Sequence, residues 1–178
     1  MKILLEIPPA VYASLTTHLL QDGSRLEEAA FVYANMESND SALCFRYVDW
    51  LAVPLEGFEH RTAFYLELTD EMRARVIKRA HDLGACLIEF HSHTGPWPAR
   101  FSPSDLEGFE EFVPHVWWRL KGKPYIAIVV TREDIDALAW VQDPHTPRIL
   151  DGLVSGKQII SPTGLSLRSN DFNEDGTL

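Results

Sequence analysis

Two histidines one residue apart close an apolar run in the stretch IEFHSHTGPWPARFSPSDLEGF, residues 88–109. On a strand, side chains at i and i+2 leave the same face roughly 7 Å apart, so His91 and His93 project together. Two neutral imidazoles converging on one point suit zinc, which in catalytic sites takes three protein ligands and keeps a fourth position open. Asp105 is the natural third ligand. The loop between can turn the chain back, and the first turn of a helix capped by Ser102 would bring the carboxylate beside the strand end, where a helix N-terminus favours an anion. Each fragment alone has a plain structural explanation, as a hydrogen-bonded histidine pair or an ordinary helix start; their agreement on one place argues for a site. Other zinc signatures are absent. Glu89 precedes His91 and the two cysteines are far apart, which rules out the H-x-E with P-C-x-x-C pattern of zinc deaminases, and no H-E-x-x-H occurs.

The elements that must position these residues follow from patterning. Residues 2–7 read as a strand stopped by Pro8 and Pro9, which open a helix over 9–22 with Val11, Leu15, Leu19 and Leu20 toward one face and Gly23 at its end. Segments 25–37 and 41–54 read as paired strands around a Ser-Asn-Asp turn, and 62–68 as a further strand. Residues 69–84 form the clearest helix, with Thr69 as N-cap, Met72, Val76, Ile77 and Ala80 at helical spacing, and Gly84 at the end. The segment 85–93 is a mostly apolar, central strand, on which Glu89 and Ser92 are expected to face away from the histidines in structural roles. Residues 102–122 read as a helix that Pro114 should end or bend, followed by strands over 124–131 and 136–143 and short apolar pieces broken by Gly and Pro. His18, His60, His81, His115 and His145 fall outside the ligand set.

This order implies a mixed α and β domain with helices against a largely single sheet over residues 1–162, and a partly disordered tail over 163–178. A chain of 178 residues, 46% hydrophobic, suits one core. The net charge of -10, from 26 acidic and 16 basic residues, argues against a nucleic-acid partner. No N-terminal apolar stretch approaches the roughly 20 residues that span a bilayer, so no membrane role and a soluble, cytoplasmic protein are expected. Cys44 and Cys86 stand alone in apolar runs and are expected to be free thiols.

The segment HSHTGPWPARFSPSD resembles the JAMM motif of the JAB/MPN metalloprotease family, H-x-H-P-x6-S-x-x-D, and EEAAFVYA resembles the family's early strand, E-x-x-G-hydrophobic-x-hydrophobic-G. Thr94 stands where the family has proline, one extra residue separates His93 from Ser102, and Ala30 and Ala34 replace the glycines. The resemblance covers most of the chain. It implies a JAB/MPN-like α/β (α+β) fold, one curved mixed sheet flanked by about three helices in a cytidine-deaminase-like architecture. Zinc would be held by His91, His93 and Asp105. Glu27 would be the general base, with Glu28 the alternative because only one of two strand neighbours can face the metal, and Ser102 would be the donor to the oxyanion.

The same resemblance implies zinc-dependent cleavage of the peptide or isopeptide bond at the C-terminus of ubiquitin or a ubiquitin-like protein, an extended tail adding beside a sheet edge. Trp97 and Phe101 are candidate channel contacts or loop-packing aromatics. The small size resembles the stand-alone prokaryotic branch, whose members accompany activating and conjugating enzymes in sulfur transfer or antiphage defence. Two other readings stay open: a non-catalytic scaffold or binding module of the same fold, and a zinc hydrolase acting on a small amide.

Overall fold

The computed structural model describes residues 1–168. Eleven strands and four helices alternate among them: β1 Lys2–Glu6, α1 Pro9–Leu19, β2 Ala29–Ser38, β3 Ala42–Ala52, β4 Phe58–Arg61, β5 Leu66–Leu68, α2 Asp70–Leu83, β6 Cys86–Ser92, α3 Pro103–Arg119, β7 Tyr125–Val130, β8 Ile135–Trp140, β9 Arg148–Ile149, β10 Gly152–Ser155, β11 Gln158–Ile160 and α4 Leu165–Arg168. Nine strands form one mixed sheet in the order β11-β10-β1-β3-β2-β6-β7-β8-β9, and β4 and β5 pair separately. The expectation of a mixed α and β domain on a largely single sheet holds, with four helices rather than about three. No helix among the described residues is long and apolar enough to cross a membrane.

Strand alternation divides the core in two. Phe31, Tyr33, Leu87, Tyr125 and Val129 point to one face, where α2 and α3 cover them with Met72, Val76, Ile77, Phe109, Val113 and Val116. Val32, Ile88, Phe90, Ile126 and Ile128 point to the other, where α1 contributes Leu15 and Leu19. Burying each such side chain contributes about 1.5–3 kcal/mol, so the sheet is clamped from both sides. β6 lies inside the sheet, antiparallel to β2 and parallel to β7, and its C-terminal end emerges under the start of α3.

Several expected boundaries move. α1 stops at Leu19 and not at Gly23, because Gln21, Asp22 and Gly23 turn the chain, Gly23 at φ +76°. β2 begins at Ala29, so Glu27 and Glu28 precede the strand instead of lying on it. The expected strand over 62–68 shrinks to β5, since Thr62 and Tyr65 close a tight turn (Thr62 N to Tyr65 O, 2.7 Å), and the unanticipated β4 is its partner. α3 runs through Pro114 to Arg119. The missing N–H at Pro114 removes one helical bond, but Phe109, Val113 and Val116 pack on the sheet on either side of it, and that burial outweighs the loss.

Residues 163–168 are tied to the domain through Asp136 at β8, which accepts from Gly164 N (2.9 Å) and Ser166 N (2.9 Å). The expected disorder of the tail otherwise concerns 169–178, which lie outside the described residues. Both cysteines are free, and burial pushes the Cys86 thiol up to about 11.

Candidate metal centre

The site forms where β6 ends and α3 begins. His91 is the penultimate residue of β6 and His93 follows its end; the rings stand 5.0 Å apart, centre to centre. Asp105 comes from the first turn of α3, which opens with a reciprocal capping box: Asp105 N donates to Ser102 Oγ (3.2 Å) and Ser102 N donates to Asp105 Oδ2 (2.7 Å). The box fixes the carboxylate so that Oδ2 lies 3.3 Å from His93 Nε2 and 3.6 Å from His91 Nε2. Among the described residues, His91, His93 and Asp105 bring one potential ligand atom each within 4.8 Å of one another, a group that could hold a metal ion.

The hydrogen-bond inventory supports that reading. His91 is 2% exposed, yet neither ring nitrogen has a hydrogen-bond partner. An unsatisfied buried polar group costs about 1–3 kcal/mol, which a coordinated cation would offset. Nδ1 faces Glu89 Oε1 at 3.4 Å and Nε2 faces Asp105, so the imidazole lies between two carboxylates. Burial alone would lower the His91 pKa, but Asp105 and Glu89 overcome it and push it up to about 10. Asp105 answers in the opposite sense: burial would raise its carboxyl, and the adjacent His91, then His93 and the Ser102 hydroxyl, hold it far below the usual carboxylate range.

Glu89 corrects one expectation. It lies on the histidine face, not the opposite one, because residues 89, 91 and 93 share parity on the strand. Its Oε2 accepts from the Tyr125 hydroxyl, so Tyr125, Glu89 and His91 form a chain that orients the ring from behind, the arrangement that commonly supports a metal-binding histidine. Period-two counting along β6 finds Glu89; Tyr125 requires the β6–β7 pairing. Ser92 does face away, its Oγ accepting from Glu28 N at 2.9 Å.

The two early glutamates separate. β2 pairs with β6 so that Ala29 faces His91; two places further along the same register, Glu27 falls opposite His93 and Glu28 opposite Ser92. Glu27 Oε1 lies 3.8 Å from His93 Nε2 and the residue is 4% exposed. Burial raises the Glu27 pKa, with His93 and His91 pulling it partly back. Glu28 is equally buried but forms an ion pair with Arg61 on β4, away from the three ligands. Thr94 donates to the Arg25 carbonyl at 2.9 Å, tying the loop after His93 to the segment that carries Glu27.

No sequence model of a known protein family matches the chain, and no curated protein matches it significantly.

Ser102 sits at the rim, and its hydroxyl donates to Asp105 Oδ2 at 2.7 Å as well as meeting Ser104 Oγ at 2.9 Å. The hydroxyl hydrogen is therefore directed at the carboxylate, not left free as the capping role alone would allow. Phe101 is 3% exposed and packs 5.6 Å from the His91 ring, which makes it a packing aromatic; Trp97 is exposed. His18 Nε2 meets the Ala29 carbonyl at 2.9 Å, and His60, His81, His115 and His145 do not join the ligand group.

Two clefts flank the three ligands. One, of about 360 Å³, is lined by Glu27, His93 and Ser102 together with Phe64, Trp97 and Pro98. The other, of about 430 Å³, is lined by His91, Asp105 and Glu89 with β5 and the first turns of α3. The site is thus open on two sides of different chemistry.

Proposed function

We propose that this chain is a zinc-dependent amide hydrolase of the JAMM type, which processes a ubiquitin-like protein or its conjugates at the C-terminus, on a JAB/MPN-like fold. The observation that carries the reading is the convergence of His91, His93 and Asp105 on one point, one potential ligand atom each, with the buried Glu27 carboxylate 3.8 Å from His93. Two imidazoles and one carboxylate are a donor set of the open, catalytic zinc type. Zinc bound there would act as a Lewis acid, drawing electron density from a carbonyl and making water acidic enough to yield hydroxide near neutral pH.

The chain's own residues do the remainder. Glu27 accepts a proton from the attacking water; its raised pKa, set by burial, makes it a stronger base than a solvated glutamate and a competent acid afterwards. As the new C–O bond forms and the C–N bond breaks, Glu27 returns that proton to the departing nitrogen, so one amide and one water become one acid and one amine. Ser102, whose hydroxyl donates to Asp105 Oδ2, turns that hydrogen toward the developing oxyanion. Glu89 and Tyr125 keep His91 oriented throughout. The free side of β5, in the second cleft, offers main-chain groups against which an extended tail could add as a strand.

The deciding experiment incubates the zinc-loaded protein with a ubiquitin-like protein encoded beside its gene and carrying a C-terminal extension, with the cut read by mass spectrometry. Cleavage after the terminal glycine, abolished by a chelator and restored by zinc, is the expected result. Stoichiometric zinc without cleavage of any such fusion would replace this reading by a small-amide hydrolase, and absence of bound metal after chelator-free preparation would leave a binding module.

A further inference from the structure

The two clefts beside the metal ligands differ in what they offer, and the base distinguishes them. Glu27 lines the cleft of about 360 Å³ and is not part of the other. A group that returns a proton to a departing amine must lie within hydrogen-bond reach of it. On the amide-hydrolase reading the departing amine therefore leaves through the Glu27 cleft, and because Ser102 lines that cleft too, the scissile carbonyl lies at its inner end, with the rest of the acyl half toward the cleft beside β5.

The Glu27 cleft has aromatic walls where solvent would normally select polar residues. Phe64, on the β4–β5 turn, is 75% exposed, and Trp97, on the loop between the ligands, is 66% exposed. They line the cleft with Pro98 and Ala63, and Arg100 is an exposed cation among the lining residues. Large apolar side chains left in water beside a reaction centre mark a contact surface.

The Trp97 wall is built in advance. A Cβ at Gly95 would lie 2.5 Å from Trp97 Cε3 and 2.7 Å from Cζ3, so the indole lies against the glycine, and any side chain there would have to displace it. The loop is pinned at both ends: Thr94 Oγ1 donates to Arg25 O, Ala99 N donates to Asp134 Oδ1 (2.9 Å), and Thr163 Oγ1 donates to Ala99 O (2.7 Å). A loop anchored at both ends keeps the backbone of Trp97 in place, so less freedom is lost when a ligand covers the indole.

We infer that Trp97 and Phe64 form a specificity subsite for the residue that supplies the scissile amine, and that this subsite takes a bulky apolar side chain such as Leu, Ile, Met or Phe. The assignment of the occupant rests on the amide-hydrolase reading; the apolar preference of the subsite does not. Gly95 acts as the seat that sets the height of the Trp97 wall.

Two measurements on the full chain test this. The zinc-loaded protein is given a mixture of randomised, end-blocked decapeptides, and the residue on the amine side of each cut is identified by mass spectrometry. Apolar residues should exceed Asp, Glu and Gly at that position about tenfold, the low end of what one apolar group contributes to discrimination. The preference should fall below about threefold in Trp97→Ser with Phe64→Ser, and Gly95→Ala should alter it by displacing the indole. In parallel, NMR follows the Trp97 indole N–H, assigned by its loss in Trp97→Phe, during titration of metal-free protein with leucine amide or aspartate amide. Leucine amide should shift that signal at concentrations about tenfold lower.

If no peptide is cut, the titration alone decides the subsite, and the hydrolase reading stands or falls on the fusion substrate. Cleavage without an amine-side preference, or equal responses to the two amides, overturns the subsite while leaving hydrolysis intact. A concentration-dependent dimer that Phe64→Ser with Trp97→Ser dissociates would also overturn it, assigning the aromatics to a contact between copies.

Discussion

Asp136 and His91 are both buried polar side chains on neighbouring parts of one sheet, and their surroundings are opposite. Asp136 is inaccessible to solvent, and its two oxygens accept from Ala137 N (3.0 Å), Gly164 N (2.9 Å), Ser166 N (2.9 Å) and Ser166 Oγ (2.5 Å). That cluster is complete, and its work is to bind residues 163–168 to β8. His91 is 2% exposed and has carboxylates near both nitrogens, yet neither nitrogen makes a hydrogen bond. Tyr33 Oη and Trp117 Nε1 are also buried without a hydrogen bond, but neither stands beside other metal-ligating groups as His91 does. The difference teaches that incompleteness together with convergence on other ligand atoms, more than burial or charge, separates a candidate site from a structural staple.

The comparison is tested most severely at Glu27. Glu27→Gln keeps the volume and removes the base, so cleavage of the fusion substrate should fall by about 10²–10⁴-fold, while zinc content and melting temperature stay near those of the parent. Glu28→Gln should instead lose stability through Arg61 and retain activity, because its partner lies away from the ligands. If the two variants exchanged these phenotypes, the register argument that places Glu27 opposite His93 would be wrong.

At Asp136 the expected loss is one of stability. Asp136→Ala leaves three donors of the 163–168 segment without an acceptor, and at about 1 kcal/mol each the cost is about 3 kcal/mol in denaturant unfolding, with no change in zinc bound per folded molecule. Loss of zinc without loss of stability would merge the two clusters that the structure keeps apart. Glu89→Gln is milder still: it weakens the support behind His91 and should lower zinc affinity about 10–100-fold, measured by competition with a chromophoric chelator, with the fold intact.

Much of this was legible in the residues. The spacing of His91, His93 and Asp105 along a strand end and a helix start was enough to anticipate their convergence, because period-two alternation and a capped first turn are local rules. The α2 helix, from the Thr69 cap to left-handed Gly84, was legible for the same reason. What escaped depended on distant partners. β4 needed β5 to exist as a strand, and the parallel pairing of β10 with β1 joins residues about 150 positions apart. Pro114 misled because local propensity argues for a break while the apolar face of α3 continues beyond it. Glu89 was misplaced although alternation puts it with the histidines, and Phe64 entered the site only through the turn of a hairpin that the sequence pattern did not reveal.

The effect that is smallest per step, about tenfold for each pH unit, follows from proton competition at His91. In the metal-free protein its pKa is pushed up to about 10 from an ordinary value near 6.5, so the folded state holds a proton that the unfolded state releases between those values. Its contribution to stability is complete below about pH 6.5 and is lost as pH rises toward 10; stability of the metal-free protein should decline across that window. Asp105 has the opposite sign: its depressed pKa contributes above the ordinary carboxylate range and is lost only in strong acid. Zinc requires the neutral imidazole, so each unit of pH between about 6.5 and 10 should strengthen its binding about tenfold for the one proton displaced, adding about 1.4 kcal/mol of stabilisation per unit. Melting curves with saturating zinc and with chelator, taken at pH 6.5, 7.5 and 8.5, should therefore diverge as pH rises. A constant gap would mean that His91 is already neutral when the metal arrives, and the two carboxylates beside it would then be orienting the ring without holding a proton on it.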